Sequence, residues 1–402
     1  MLIGIVGKPN SGKTTFFNAA TALDAKIADY PFTTIDPNIG VGYASIECVC
    51  KEFNVKDNPK NSICIDGIRF IPVKLIDVAG LVPGAWQGRG MGNQFLDHLR
   101  QADVLIHVVD ASGSFDADGR PLGKPGMWDP LKDINFLEEE IARWIYQILK
   151  RDWERSMRRV EVEKGDLVQA LAERLSGLSI FEKHIKKAIE TLDLDAEKPT
   201  SWSDDEIYNF AKKLREIAKP ILVVANKIDI PKAEENYERM KERGINAVPA
   251  SAIAELALIK YSEKGIVKYI RGSNNFEILQ PEKLSEREKK LFDGITQLLQ
   301  KWGNTGVQQA INKAVFELGN MIAVYPVEDI NKLADKKGNV LPDIFLVKKG
   351  TKVREFAAKI HTDLAKTFLY AIDARTKKKL GEDYIVQHKD IIKIVSAARK
   401  KA

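Results

Sequence analysis

The sequence has little of what secreted and membrane proteins require. Its 402 residues include 3 cysteines, too few for a disulfide framework in a chain of this length. No apolar run approaches the roughly 18 residues of a membrane-spanning helix, and the first one, MLIGIV, covers residues 1–6 only. We therefore expect no secretory leader, no membrane partner and a cytoplasmic location.

Histidine is also scarce, and the 5 histidines are scattered along the chain rather than grouped as metal ligands or catalytic residues. His107 lies inside the apolar run VLIHVVD. We expect it to be a core histidine with satisfied hydrogen bonds.

The segment GKPNSGKTT, residues 7–15, has the G-x-x-x-x-G-K-[ST] spacing of a phosphate-binding loop between a strand and a helix. Glycine lets successive backbone N–H groups turn inward at a phosphate. The lysine of the motif reaches the β and γ phosphates, and its threonine offers a hydroxyl to Mg²⁺. We assign nucleotide binding to Gly7, Asn10, Ser11, Gly12, Lys13, Thr14 and Thr15.

Three later segments supply the other parts of a nucleotide site. The apolar run FIPVKLIDVAG places Asp77 at the end of a strand, where a second acidic partner for Mg²⁺ is required. The run PILVVANKID ends in Asn226, Lys227 and Asp229. The Asp229 carboxylate can accept both N–H donors on the Watson–Crick edge of guanine, whereas adenine presents another pattern.

The third segment, AVPASA, ends in Ser251 and Ala252, whose backbone N–H can meet the guanine O6. The order of the segments and their position at strand ends fit one pocket at the carboxyl edge of a parallel sheet. The sequence thus predicts an α/β P-loop NTPase fold with a mostly parallel, doubly wound sheet that binds GTP and GDP.

The segment YPFTTIDPNIG, residues 30–40, and the later DVAGLVPGA resemble the Obg group of GTPases. NKID and the C-terminal third are most similar to the archaeal and eukaryotic relatives of its YchF branch. The resemblance implies that Thr34 completes the Mg²⁺ shell and that the Gly80 N–H touches the γ phosphate. With Lys13 these are the expected catalytic residues, and Thr14, Thr34 and Asp77 are the expected metal ligands.

Three positions bear on specificity and catalysis. Bacterial and human members of the YchF branch carry a glutamate in the base-reading motif and tend toward ATP, whereas this chain has Asp229, which predicts GTP. Leu81 stands where Ras-like enzymes place the glutamine that orients water, so hydrolysis must rest on positioning and cations. Asn10 resembles an asparagine that holds K⁺ in related GTPases, but an ordinary loop role is equally compatible with it.

The spacing of the motifs indicates inserted and appended parts. We expect the GTPase domain in residues 1–112 and 216–319, a helical insertion in residues 113–215 and a further domain in residues 320–402. Two amphipathic runs in the insertion, one with Ile141 and the other with Leu171 on its apolar face, predict an antiparallel helical arm, as in the family. The last domain resembles the small β-grasp, ubiquitin-like TGS domain of ribosome- and RNA-linked GTPases.

Charge is concentrated at the C-terminal end. From Asn320 to Ala402, 18 Lys and Arg stand against 10 Asp and Glu, a net charge of +8, while the whole chain carries only +6. Such asymmetry suits a phosphate-rich partner bound through its backbone, so we expect ribosome or RNA contact and no reading of DNA sequence. The alternative is a solvated lysine surface.

The function predicted from these features is a GTPase switch, using Mg²⁺ and associated with ribosomes. Two alternatives stay open. One is an ATPase of the same branch with a stress or metabolic role, and the other is an RNA-binding protein whose nucleotide stabilises the fold.

The three cysteines, Cys48, Cys50 and Cys64, lie close together in the sequence. Buried reduced thiols are the interpretation that we favour here. A zinc site would need a fourth ligand, and since no histidine lies nearby, only Asp57 or another chain could supply it.

Overall fold

The computed structural model describes residues 1–22, 38–78 and 92–397. The chain folds into two compact units. The described residues of the first unit lie within Met1–Ala22, Pro37–Gly40 and Lys74–Ala310, and those of the second lie within Val41–Val73 and Ile311–Ala402. The division into three domains expected from the sequence stays a prediction.

The strands of the described residues follow one another along the chain in this order: β1 Leu2–Val6, β2 Ile39–Glu47, β3 Ile63–Ile65, β4 Ile68–Asp77, β5 Val104–Asp110, β6 Ile221–Asn226, β7 Ala247–Ala250, β8 Val267–Lys268, β9 Glu277–Ile278, β10 Met321–Pro326, β11 Phe345–Lys348, β12 Phe368–Asp373, β13 Lys379–Leu380 and β14 Ile391–Ser396.

The α-helices of the described residues are α1 Lys13–Thr21, α2 Val49–Glu52, α3 Gly92–Gln101, α4 Leu131–Lys150, α5 Trp153–Val162, α6 Leu167–Leu175, α7 Glu182–Leu192, α8 Asp204–Ala218, α9 Ala233–Glu242, α10 Ala252–Glu263, α11 Glu286–Trp302, α12 Val307–Asn312, α13 Val353–Ile360 and α14 Thr362–Lys366. A π-helical turn, Lys313–Leu318, continues α12.

The first unit is built on a parallel sheet with the strand order β4-β1-β5-β6-β7. Every residue of β5 is buried, as its unbroken apolar sequence predicts for a central parallel strand. The carboxyl ends of β1, β4, β6 and β7 lead into the predicted nucleotide-binding segments. The mostly parallel P-loop fold predicted from the sequence is therefore confirmed.

The segment between β5 and β6 contains five helices, α4 to α8, rather than the two-helix arm expected from its amphipathic runs. The helices do not form a separate arm. The apolar faces of α4, α6, α7 and α8 pack against one another and against the sheet in one shared core. Residues that share this core include Val6 and Leu105 from the sheet and Ile141, Leu171 and Phe210 from the helices.

The second unit contains a five-stranded sheet with the order β11-β10-β14-β12-β13. Its strands β10 and β14 are parallel, and the other neighbours are antiparallel. Helix α13 buries Val353 and Phe356 against Val324 and Ile392 of this sheet. The arrangement confirms the predicted separate C-terminal sheet, and all of its strands lie within the predicted residues 320–402.

None of the described helices combines the length and the apolar character needed to cross a membrane.

Candidate nucleotide-binding site

The phosphate loop connects β1 to α1 and requires glycine at both ends. Gly12 has φ of 90°, a left-handed conformation that strains other residues, and a Cβ there would lie 2.2 Å from Asn226 Nδ2. A Cβ on Gly7 would lie 2.5 Å from the Val108 carbonyl oxygen. At these two positions the loop therefore lies too close to the neighbouring strands for any side chain.

Three further features of the loop and of helix α1 fit a phosphate group with its metal ion. Ser11 is fully buried, and its Oγ has no hydrogen-bond partner among the described residues. Thr14, in the first turn of α1, is exposed. The amino terminus of α1 faces the loop with its positive end, which favours an anion. The residues present thus suit a phosphate with a metal ion bound at Thr14.

Lys13 and Asp77 lie side by side. The Lys13 ammonium pairs with the Asp77 carboxylate and donates a hydrogen bond to the Val78 carbonyl at 2.7 Å. Parallel pairing of β1 with β4 explains this proximity, since it brings the end of β4 beside the phosphate loop. For Lys13 to bind a phosphate, the ammonium must exchange these acceptors for phosphate oxygens.

Asn226, at the end of β6, joins the phosphate loop to the predicted base-reading loop. Its Nδ2 donates to the Ser11 carbonyl at 3.0 Å, and its Oδ1 accepts from the Ala252 N–H at 3.1 Å. The side chain is 3% exposed. One buried amide thus fixes both loops at the same edge of the sheet.

The backbone N–H groups of Ser251 and Ala252, which were predicted to meet guanine O6, both already donate hydrogen bonds within the protein. The Ser251 N–H donates to the Thr305 carbonyl at 2.9 Å, and the Ala252 N–H donates to Asn226. Ser251 Oγ accepts from the Ala254 N–H at 3.3 Å and caps α10. To reach a base, one of these N–H groups must leave its acceptor.

Lys227 and Asp229 follow Asn226 but differ in their surroundings. Lys227 donates to the Asn10 carbonyl at 2.7 Å and lies 3.3 Å from the Asp110 carboxylate. Burial lowers the pKa of Lys227, although Asp110 opposes that shift. Asp229 is exposed, which leaves its carboxylate accessible to a base.

The loop after β5 packs on the phosphate loop, a contact that the sequence did not predict. Asn10 Nδ2 donates to the Gly119 carbonyl at 2.9 Å, and Lys8 Nζ donates to the Phe115 carbonyl at 2.8 Å. Lys8 also pairs with the buried Asp133 at 2.8 Å. Burial raises the pKa of Asp133 in spite of that ion pair.

Thr34, Gly80 and Leu81 lie outside the described residues. Their roles at the γ phosphate and the metal stay predictions from the resemblance.

His107, in β5 beside β1, is 2% exposed, but its Nδ1 has no hydrogen-bond partner among the described residues. The expectation of a fully satisfied core histidine is therefore wrong for this atom. Burial, assisted by the charge of Lys8, lowers the pKa of His107 to about 3. A neutral imidazole is thus part of the folded structure.

We expect this histidine to make the protein sensitive to acid. Between pH 6.5 and pH 3 the unfolded chain binds a proton at position 107 that the native chain does not, so stability falls as the pH falls. The slope approaches about 1.4 kcal/mol per pH unit. In urea unfolding, the wild type should lose about 2 kcal/mol more than His107→Val between pH 6.5 and pH 5. The exposed His361→Gln variant should behave as wild type, and equal losses in all three proteins would contradict the assignment.

The strand-end loops, the glycine cradle and the Lys13–Asp77 pair together define a P-loop nucleotide-binding protein. Three family descriptions match parts of the chain: "50S ribosome-binding GTPase" over residues 2–150, "Obg-like GTPase YGR210-like, G4 motif-containing domain" over residues 224–329, and "TGS domain" over residues 334–396.

Relatives match over most of their length. A GTP-binding protein of Methanocaldococcus jannaschii is 54% identical over 99% of this chain and 100% of its own. A GTP-binding protein of Schizosaccharomyces pombe is 40% identical over 87% of this chain and 88% of its own. The crystal structure of a GTP-binding protein from Pyrococcus horikoshii has 41% identity, covers 99% of this chain and 100% of its own, and gives a TM-score of 0.78. The chain belongs to the YchF-type Obg-like GTPase family.

Proposed function

We propose that the chain binds GTP and GDP with Mg²⁺, hydrolyses GTP and acts as a nucleotide-controlled switch on the ribosome. The strongest support for this proposal is the position of Asn226. Because its amide bonds to Ser11 of the phosphate loop and to Ala252 of the base loop, one nucleotide can contact both.

The choice of guanine rests on Asp229. Its exposed carboxylate can accept from N1–H and the 2-amino group of guanine, a pair of donors that adenine does not present. The names of the relatives also favour a guanine nucleotide. Those named as GTP-binding are 54% and 40% identical, whereas the Bacillus subtilis "Ribosome-binding ATPase YchF" and the human "Obg-like ATPase 1" are each 28% identical.

Hydrolysis would use positioning and charge rather than a glutamine, since Leu81 occupies that place. Lys13 would hold the β and γ phosphates. Thr14, Asp77 and Thr34 would bind Mg²⁺, which supplies positive charge to the transferred phosphoryl group. Asn10 is the residue through which K⁺ would add a second cation, and faster turnover in K⁺ than in Na⁺ is the expected sign of it.

Ribosome contact would come from the basic residues of the second unit. The turn before β13 and the first residue of that edge strand present Lys377, Lys378 and Lys379, all of them exposed. Phosphate-rich partners attract such a surface through contacts that weaken with salt. The words "ribosome-binding" in one matching family description and in the name of the Bacillus subtilis relative favour the same partner.

The test is co-sedimentation with ribosomes in the presence of a non-hydrolysable GTP analogue or GDP. We expect more protein in the pellet with the analogue, because the γ phosphate would order the switch residues. Lys378→Glu/Lys379→Glu should reduce pelleting by at least fivefold.

Lys183→Glu/Lys187→Glu is the matched control. It makes the same change in net charge on exposed positions of α7 and should leave pelleting unchanged. Pelleting that ignores the nucleotide would favour the RNA-binding alternative, and equal or better binding of ATP would favour the ATPase alternative.

A further inference from the structure

The chain's three cysteines converge in the second unit, together with one carboxylate. Cys48 follows β2, Cys50 lies in α2, and Cys64 lies in β3. Asp57 comes from the loop between α2 and β3. One ligand atom from each of the four residues lies within 4.8 Å of all the others.

Two of the six separations between the ligand atoms are close to those of a tetrahedral metal site, and the other four are within 4.8 Å. Cys48 Sγ lies 3.3 Å from Asp57 Oδ2, and Cys50 Sγ lies 3.9 Å from Cys64 Sγ. Around Zn²⁺, with bonds of about 2.3 Å to sulfur and about 2.0 Å to oxygen, neighbouring ligand atoms stand roughly 3.5–3.8 Å apart. Only small side-chain movements separate the cluster from that geometry.

Backbone hydrogen bonds position Cys48 and Cys50, and the pairing of β3 with β4 positions Cys64. The Cys48 N–H donates to the Gly67 carbonyl at 2.9 Å, and the Val55 N–H donates to the Cys50 carbonyl at 3.0 Å. Cys48 and Cys50 are buried, while Cys64 and Asp57 are partly exposed. The ligands are therefore preorganised, with access from the side of Cys64 and Asp57.

A buried cation lies beside the cluster and fits a negatively charged metal complex. Arg69 is fully buried, its Nη1 lies 3.4 Å from Asp57 Oδ2, and neither Nη1 nor Nε has a hydrogen-bond partner among the described residues. Three thiolates and one carboxylate around Zn²⁺ carry a net charge of −2. Arg69 would offset part of it and donate hydrogen bonds to the ligands, as outer groups do at metal sites.

We propose that Cys48, Cys50, Asp57 and Cys64 form a structural Zn²⁺ site. Thiolate sulfur selects soft and borderline ions, and Zn²⁺ also accepts a carboxylate in a tetrahedral set. Four protein ligands close the site, so its role is to hold segments together rather than to activate water. Each thiol releases its proton to solvent when the metal binds.

The bound ion would clip the end of β2, helix α2 and strand β3 to one another. The same stretch of chain contacts the loop before β11 inside the second unit, where Lys60 pairs with Asp335 at 2.8 Å and Asn61 donates to the Ile344 carbonyl at 2.9 Å. The metal would therefore stabilise the second unit and leave the nucleotide site untouched.

The experiment is metal analysis of untagged protein, combined with titration of its thiols. Because the chain has only 3 cysteines, a thiol reagent reports on this cluster alone. We expect about one zinc per chain, thiols that react slowly until a chelator is added, and a lower unfolding temperature in chelator.

Two variants complete the test. Asp57→Asn should lower zinc affinity at least tenfold, whereas Asp66→Asn, on the exposed turn between β3 and β4, should keep it. Cys64→Ser should lose the metal. All of these variants should bind GTP as wild type does. An absence of zinc binding is therefore distinguishable from an absence of nucleotide binding.

Three results would overturn the proposal. One is protein that neither retains nor takes up Zn²⁺ while its thiols react freely. The second is loss of two thiols that return on reduction, which indicates a Cys–Cys bridge. The third is stoichiometric iron in place of zinc.

Discussion

Asp229→Asn should change the base that the protein prefers from guanine to xanthine. The carboxylate accepts two hydrogen bonds from guanine, and each bond to a charged group contributes about 1.5–3 kcal/mol. An asparagine offers one acceptor and one donor, and xanthine has a carbonyl where guanine has its 2-amino group. We expect about 100-fold weaker GTP binding, equivalent to about 2.7 kcal/mol, together with a gain in affinity for xanthosine triphosphate.

Calorimetric titration of both nucleotides into both proteins measures this exchange. A gain for xanthosine triphosphate cannot come from a misfolded variant, so it separates base reading from damage to the fold. Glu235→Gln, on the exposed face of the neighbouring helix α9, removes a nearby carboxylate and should change neither affinity. If Asp229→Asn binds GTP as tightly as wild type, Asp229 does not read the base.

Lys13→Ala should abolish most of the hydrolysis and weaken triphosphate binding. Lys13 is the cation of the phosphate loop, and its only described acceptors, Asp77 and Val78, lie where β4 ends beside that loop. Removal of one group that stabilises developing charge commonly costs about 10²–10³ in kcat. We expect a loss of that size in single-turnover GTP hydrolysis, with a smaller effect on GDP than on GTP.

The control is Lys124→Ala, an exposed lysine in the loop after β5, which should hydrolyse GTP at the wild-type rate. Thermal unfolding of both variants checks the fold, because Lys13→Ala also leaves the Asp77 carboxylate without its partner. Hydrolysis by Lys13→Ala within about threefold of wild type would be incompatible with the assigned role.

The sequence predicted the parts of the site that depend on local rules. Glycine at 7 and 12 follows from backbone geometry, and the structure shows both positions without space for a side chain. Apolar runs placed Asp77 and Asn226 at strand ends, and parallel pairing then brought them to one edge of the sheet. Such inferences succeed because spacing and hydrophobicity determine them.

Contacts between distant segments could not be predicted in this way. The packing of Asn10 against Gly119 and of Lys8 against Phe115 depends on how the loop after β5 folds back, and nothing in the composition of that loop indicates it. The acceptor that Thr305 offers to the Ser251 N–H lies 54 residues further along the chain. A pattern within one segment does not reveal such a partner.

The helical insertion and the cysteines illustrate the same limit. Amphipathic periodicity identified buried faces such as Ile141 and Leu171 correctly, but it could not count the helices, because turns interrupt the pattern without changing its period. Close spacing of the cysteines left reduced thiols and a metal site as alternatives. Only the folded loop shows that Asp57 joins them.

The most direct test of the whole account is calorimetric titration of the pure protein, with Mg²⁺ present, by GTP, GDP and ATP. We expect one guanine nucleotide to bind per chain and ATP to bind at least tenfold more weakly. If neither GTP nor GDP produces a binding heat, or if ATP binds as tightly as GTP, the assignment of this pocket is contradicted.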